Sequence, residues 1–328
     1  MAQTQIIIKK AQVHLVEEVT ENTYVAPAGS GAGMFLCELG DTVFTANGQN
    51  YQPNYTRADM LKMDAVPGTV NATIQFRIPM MYSGTAGTAG KHDEVWKACG
   101  MEVTNSISTS DSYNPISTFT GVGGLPGPSY SCSVLEDGIR YAIAGAQGTF
   151  TITGKMGEIA YADVTMSGAY QAVADDAIEV AVYDGGIAPA FLGATMAMGG
   201  TTRIGVTDFS FDLGNEIAFI PDVNEATGYR GARIIDRQSS GSFNPEAVLV
   251  ATVDDWGIWR TGTVGAFTTG TVGATAGQRW ALTCARVVRG TPSLSSTDGI
   301  RHFEQPFTVG SLPTHVEGTN DDVAILFT

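Results

Sequence analysis

The sequence predicts a mainly β protein: two tandem antiparallel β-sandwich or barrel modules, the first carrying one short helix. Three observations predict it. Ala72, Ile74, Phe76, Ile78, Met80 and Tyr82 alternate with Asn71, Thr73, Gln75 and Arg77, the period-2 pattern of a half-buried strand. The chain holds 40 glycines, with Thr, Ser, Val and Ala in short runs and no long pattern of Leu, Glu and Lys, which suits strands joined by tight turns. Third, residues 138–146 (GIRYAIAGA) recur as residues 277–285 (GQRWALTCA). Each copy is followed by a Gly-led strand-like stretch, 157–168 and 299–310, and preceded by another, 68–76 and 241–249. Three matches in one order point to a β module written twice. Chance likeness among β-rich segments is the competing explanation.

Composition sets the bounds. A chain of 328 residues suits two domains, and 43% hydrophobic content fills real cores. The formal net charge is −15, from 18 basic and 33 acidic side chains. That excludes a strong electrostatic grip on nucleic acid or anionic membranes. Cys37, Cys99, Cys132 and Cys284 form no C-x-x-C pair. Residues 1–10 lack the apolar core of a signal peptide, and no run of 18 apolar residues exists. Free thiols and synthesis in a cytoplasm are the expectation, with no membrane partner.

In chain order, residues 5–19 read as one or two strands: Ile6 and Ile8 face one way, and Val13 and Leu15 follow after a break. Residues 21–33 form a loop and 36–39 a short strand. In residues 42–52 (TVFTANGQNYQ), Asn47-Gly48 sits between strand-like arms, the sequence of a type I′ hairpin turn. With Tyr51, Pro53 and Tyr55 it opens an aromatic arm at about 40–67 that lacks a core pattern. Pro79 ends the alternating strand or puts it at an edge. After the loop at 83–90, Asp93 and Glu94 near the start, Lys97 near the end and Gly100 just past it frame a helix at about 91–99. Residues 102–130 read as a strand pair with long turns. Strands at 149–153, 159–166 and 178–183 close the first module. The Gly/Ala-rich stretch at 185–200 marks the boundary, giving modules 1–195 and 196–328. Phe209, Phe211 and Leu213 open the second, followed by strands at 247–253, 280–284 and 323–327. Residues 262–277 read as a loop, and no helix pattern stands out after 200.

Chemical motifs fail on spacing. Residues 121–126 (GVGGLP) break G-x-G-x-x-G at its last place, no G-K-S/T follows a Gly-rich loop, and 127–131 (GPSYS) lacks the closing glycine of a serine-hydrolase elbow. His14, His92, His302 and His315 are scattered, which disfavours zinc. The pairs Asp175/Asp176, Asp254/Asp255 and Asp321/Asp322 never continue into a calcium loop. They read as turn residues that bond their own backbone, ahead of a glycosidase acid and nucleophile. No catalytic residue, metal or cofactor is expected; the chain does not read as an enzyme.

Several stretches carry a family likeness. Residues 21–24 (ENTY) precede a Pro/Ala loop, and 67–72 (PGTVNA) open a strand. That strand runs into 83–87 (SGTAG) and a helix ending in 97–100 (KACG), while 318–322 (GTNDD) precede a last apolar strand. In these the chain resembles the major tail tube proteins of long-tailed bacteriophages. The resemblance implies tail-tube-type β modules, a structural virion protein of the tail made in the host cytoplasm, and rings that stack into a tube for DNA ejection. It implies self-association, other tail proteins at the tube ends, and DNA that passes without specific binding. A two-module chain would close a sixfold-like ring with three copies, the alternative being six. In that setting Asn47, Gly48, Tyr51 and Tyr55 are the subunit-interface candidates, since a sheet edge invites a partner strand; an ordinary surface loop is the competing reading. A β-sandwich adhesin binding glycans, with Trp256 and Trp259 as its aromatic cluster, is the alternative function, but a place in the core is the reading preferred for these two. A glycan hydrolase ranks last.

Overall fold

A computed structural model describes residues 7, 9–26, 33–56, 58–106, 109–116, 128–311 and 322–328. Ile6, Ile8, the Pro/Ala loop at 27–32, the Gly-rich stretch 121–126, His315, residues 318–320 and Asp321 lie outside the described residues. The first half contains β1 (Ala11–Glu17), β2 (Phe44–Tyr51), β3 (Val66–Pro79), α1 (Asp93–Ala98), β4 (Met101–Ser106), β5 (Ser110–Pro115), β6 (Tyr130–Glu136), β7 (Ile139–Lys155) and β8 (Tyr161–Asp175). The second contains β9 (Ala197–Met198), β10 (Thr201–Thr202), β11 (Asp208–Asp212), β12 (Asn215–Pro221), β13 (Tyr229–Arg237) and β14 (Ser240–Phe243). It continues with α2 (Asp255–Thr261), β15 (Val264–Thr268), β16 (Trp280–Arg289), β17 (Ser293–Thr297), β18 (Ile300–Val309) and β19 (Val323–Phe327). The protein is mainly β and its ladders are antiparallel.

β3 behaves as its alternation requires. Ala72, Ile74, Phe76 and Ile78 are fully or nearly buried, Gln75 and Arg77 face solvent, and the strand ends at Pro79. α1 also forms as predicted. Its first-turn acids Asp93 and Glu94 both meet Lys97, at 2.5 and 3.3 Å, and Gly100 takes φ +77° just past the end. Val95 and Trp96 anchor it in the core.

The hydrogen-bonded order in the first half is β1–β6–β7–β8–β3–β2. In the second half it is β9–β15–β16–β18–β14–β11. Position by position, strands occupying the same place also follow the same chain order. α1 follows β3, and α2 follows β14. The three sequence matches fall on corresponding strands: β7 and β16, β8 and β18, β3 and β14. β17 continues β16 along β18, as the far half of β7 runs along β8.

The two halves share ladders and a core. β11 pairs with residues 151–155 of β7, and β19 pairs with β5. One apolar cluster runs across residue 195. Phe191 stacks on Trp280 at 6.2 Å, and Tyr82 stacks on Phe327 at 5.6 Å.

Six local expectations need correction. Residues 36–39 form no strand; Glu38 makes an isolated antiparallel bridge with Arg77. Asn47-Gly48 is not a turn: it lies inside β2, where Asn47 faces Asn71 and Gly48 faces Val70. The I′ turn would pair short local arms, whereas β2 finds the long apolar strand β3. Residues 178–183 form no strand; Gln12 holds Glu179 in place of a ladder, accepting from its N–H at 3.1 Å and donating to its carbonyl at 2.8 Å. Residues 247–253 form no strand either, because Leu249 is exposed and its carbonyl closes a turn with the N–H groups of Thr252 and Val253. The loop at 262–277 contains β15, whose Phe267 is fully buried. A second helix, α2, stands where no helix was expected, capped by the Asp254 carboxylate accepting from Gly257 N–H and ended by Gly262 at φ +64°.

Candidate assembly interface

The four candidate residues lie on β2 and the connection that follows it. From Thr45 onward every β2 side chain is exposed. Asn47 Nδ2 donates to Asn71 Oδ1 across the ladder at 3.5 Å. The Tyr51 hydroxyl donates to Gln49 Oε1 at 3.0 Å, and its ring lies over Gly68, where a Cβ would come within 2.5 Å of Cε2. Tyr55 stands in the connection at 52–65, with Met60, Leu61 and Met63 also exposed. Gln52 Nε2 donates to the Met63 carbonyl across its base at 2.9 Å. The hairpin is real, but its reversal lies in this connection rather than at Asn47-Gly48.

A second arm stands beside the first, and sequence reasoning missed it. β12 and β13 form a separate two-stranded sheet between β11 and β14, the same place in the second half that 52–65 holds in the first. Val70 N–H donates to Thr227 O at 3.0 Å, and a groove lined by Tyr51, Pro67, Gly68 and Thr69 faces residues 221–228. Val223 at the tip is exposed. The base of this arm is clamped to the first half. Asn215 Nδ2 donates to Cys99 O at 2.7 Å and Gly148 O at 2.9 Å, while its Oδ1 accepts from Arg237 Nε at 2.7 Å. Arg237 Nη2 also donates to Gly100 O and Ile116 O. Gln147 Oε1 accepts from Ile234 N–H at 2.7 Å. Gly145, at φ +58° in a bulge of β7, touches Gly231, and a Cβ on Gly145 would stand 2.8 Å from Gly231 Cα. Arg233 and Arg230 pair with Glu21.

Under this contact lies a buried carboxylate. Glu18 accepts from Ser129 Oγ, Ser131 Oγ, Gly145 N–H and Asn22 N–H, each at 2.8 Å. Burial raises its pKa, and the four donors pull it back.

The acidic pairs have separate fates. Asp254 bonds backbone, as expected of a turn residue. Asp255 does not: it is 2% exposed and bound by two guanidiniums, Arg203 at 2.9 and 2.7 Å and Arg289 at 2.6 Å. Asp176 pairs with Arg140 at 2.8 Å. Among the described residues no group of three or more His, Cys, Asp or Glu is placed to hold a metal, and no helix is long and apolar enough to cross a membrane. All four cysteines are free; burial pushes Cys37 up to about 12 and the other three higher still. Trp256 and Trp259 are not core residues. They meet edge to face at 6.2 Å, and Trp256 is 40% exposed and leans on Phe303.

Antiparallel ladders and two adjoining arms make this a mainly β protein. The chain belongs to the phage tail tube protein family: a model of that family, described as phage tail tube protein, matches residues 9–309. No curated protein matches the chain. The family is one of structural tail proteins rather than of enzymes, so this chain has a structural tail-tube role as a component of the virion tail, associating with itself and with other tail proteins.

Proposed function

We propose that the chain assembles into rings that stack as the wall of a phage tail tube, the conduit for DNA ejection, with three chains in each ring. Residues 1–195 and 196–328 are then two copies of one module, and three chains give six modules around the axis. The observation that carries this is the recurrence of one six-strand pairing order, with a helix at the same place, in both halves. Tyr51 and Tyr55, with the edge at Asn47 and Gly48, supply contacts between copies, and the two arms give stacking an apolar surface. The chain is made in the host cytoplasm and meets other tail proteins at the tube ends. DNA passes the acidic wall without specific binding, since like charge repels it.

Electron microscopy of the purified protein, with ring mass from sedimentation, tests this. Six-lobed rings with the mass of three chains are expected. A ring of six chains overturns the stoichiometry; absence of rings and tubes overturns the assembly.

A further inference from the structure

The joint between the two halves contains a template for a joint between copies. β11 is hydrogen-bonded along both edges. One edge takes β14, and the other takes the end of β7, antiparallel, from Asp208 opposite Lys155 to Asp212 opposite Thr151. In the first half β2 holds the place of β11, beside β3 as β11 is beside β14. Its outer edge has no strand on it among the described residues. In the second half, β16 followed by β17 holds the place of β7. β15 covers the outer edge of β16 as far as Val288. Beyond it, among the described residues, residues 289–297 have strand β18 on one side and no strand on the other. Each half thus lacks the strand that the other half's counterpart finds within the chain.

The strands of these edges, β2 and β17, also lack the devices that keep exposed strands apart. Solvent-facing edges ordinarily carry lysine, proline or inward charge. β2 (FTANGQNY) has no charge and no proline, and Asp41 is the one charge between Glu38 and Tyr51. Residues 289–297 (RGTPSLSST) carry one charge, Arg289, whose buried side chain is taken up by Asp255, and one proline, Pro292, buried before β17 begins; β17 itself has neither. All five β17 side chains are exposed. By contrast β13, which among the described residues pairs only with β12, carries Arg230, Arg233, Asp236 and Arg237.

We propose that the outer edge of β2, with the residues leading into it, adds to the open edge at 289–297 of a second copy, antiparallel, as β11 adds to β7. The contact is head to tail, so it propagates around a ring and closes by rotation. It rests on the ring reading above and gives that ring its lateral seam, leaving the arms for contacts along the axis.

Lysines placed at exposed positions of each edge test the seam without touching the core: Thr42→Lys/Thr45→Lys in one chain and Ser293→Lys/Ser295→Lys in another. Each variant is expected to keep the parent's circular dichroism and unfolding temperature yet sediment as a monomer. A third chain combining Thr42→Lys/Thr45→Lys with Ser293→Glu/Ser295→Glu is expected to regain rings, which a merely misfolded strand would not. Rings that persist in either lysine variant, or a combined chain that stays monomeric, overturn the seam. If the parent itself forms no rings, the ring reading falls and the seam with it.

Discussion

Asp254 and Asp255 are neighbours with opposite duties. Asp254 is an exposed cap that asparagine can replace, so Asp254→Asn should change stability by no more than about 0.5 kcal/mol. Asp255 sits between two buried guanidiniums, and Asp255→Asn strands both. Urea unfolding should show a loss of roughly 3–5 kcal/mol. Burial likewise sets the pH response of His14. Its ring is 1% exposed, neither nitrogen has a partner among the described residues, and burial holds its pKa down to about 4 from 6.5, against the opposing charge of Asp176. The unfolded chain takes up this proton near 6.5 and the folded chain only near 4. The contribution is therefore complete above 6.5 and is lost as pH falls from there toward 4. Buried His92 shifts the same way. His14→Phe should flatten the fall in unfolding free energy across that window, read from urea titrations at each pH, by on the order of 2 kcal/mol; an unchanged slope would show that His14 titrates normally. Of these roles the backbone bonding of Asp254 was legible beforehand; those of Asp255 and His14 were not. Arg203, Asp255 and Arg289 are far apart in sequence, and the fold alone brings them together.

At the level of elements, legibility followed how much local chemistry agreed with the tertiary demand. β3 was readable because its alternation matches a sheet with one buried face. α1 was readable because acids, lysine and glycine mark its ends. α2 carried the same stop and start signals in Asp254 and Gly262, but Gly257 and two tryptophans hid them. Asn47-Gly48 misled in the other direction. Two-residue turns of I′ type form instead at, for example, Asp137-Gly138, with φ +40° and +106°, and Asp298-Gly299, with φ +50° and +83°. Each joins two strands already in register, β6 to β7 and β17 to β18. The arm experiment must respect this. Removing residues 45–56 would delete β2 itself. Replacing 53–64 with Asn-Gly keeps the Tyr51–Val66 pair and should leave single rings while abolishing stacks, read by electron microscopy. Stacks as long as the parent's would show that the arm makes no axial contact. The β12–β13 arm left no trace in the reading because its signal is an insertion between β11 and β14.

For the whole molecule, charge was legible, whereas the ladders and core shared by the two halves were not. A net charge of −15 predicts DNA binding too weak to detect at ordinary salt, measured by fluorescence anisotropy of a labelled duplex. Tight, salt-sensitive binding would point to a packaging role. The repeat in sequence placed two similar units in a row, but nothing in it announced that β7 would reach past its own half to pair with β11. That ladder has a kinetic meaning. A contact within one chain sees its partner at an effective concentration of about millimolar, however dilute the protein. The β7–β11 ladder therefore closes as each molecule folds, whereas a β2 edge must wait for copies to accumulate. In the proposed ring of three chains, half of the joints would be shut from the start, and the other half would answer to how much protein the infected cell has made.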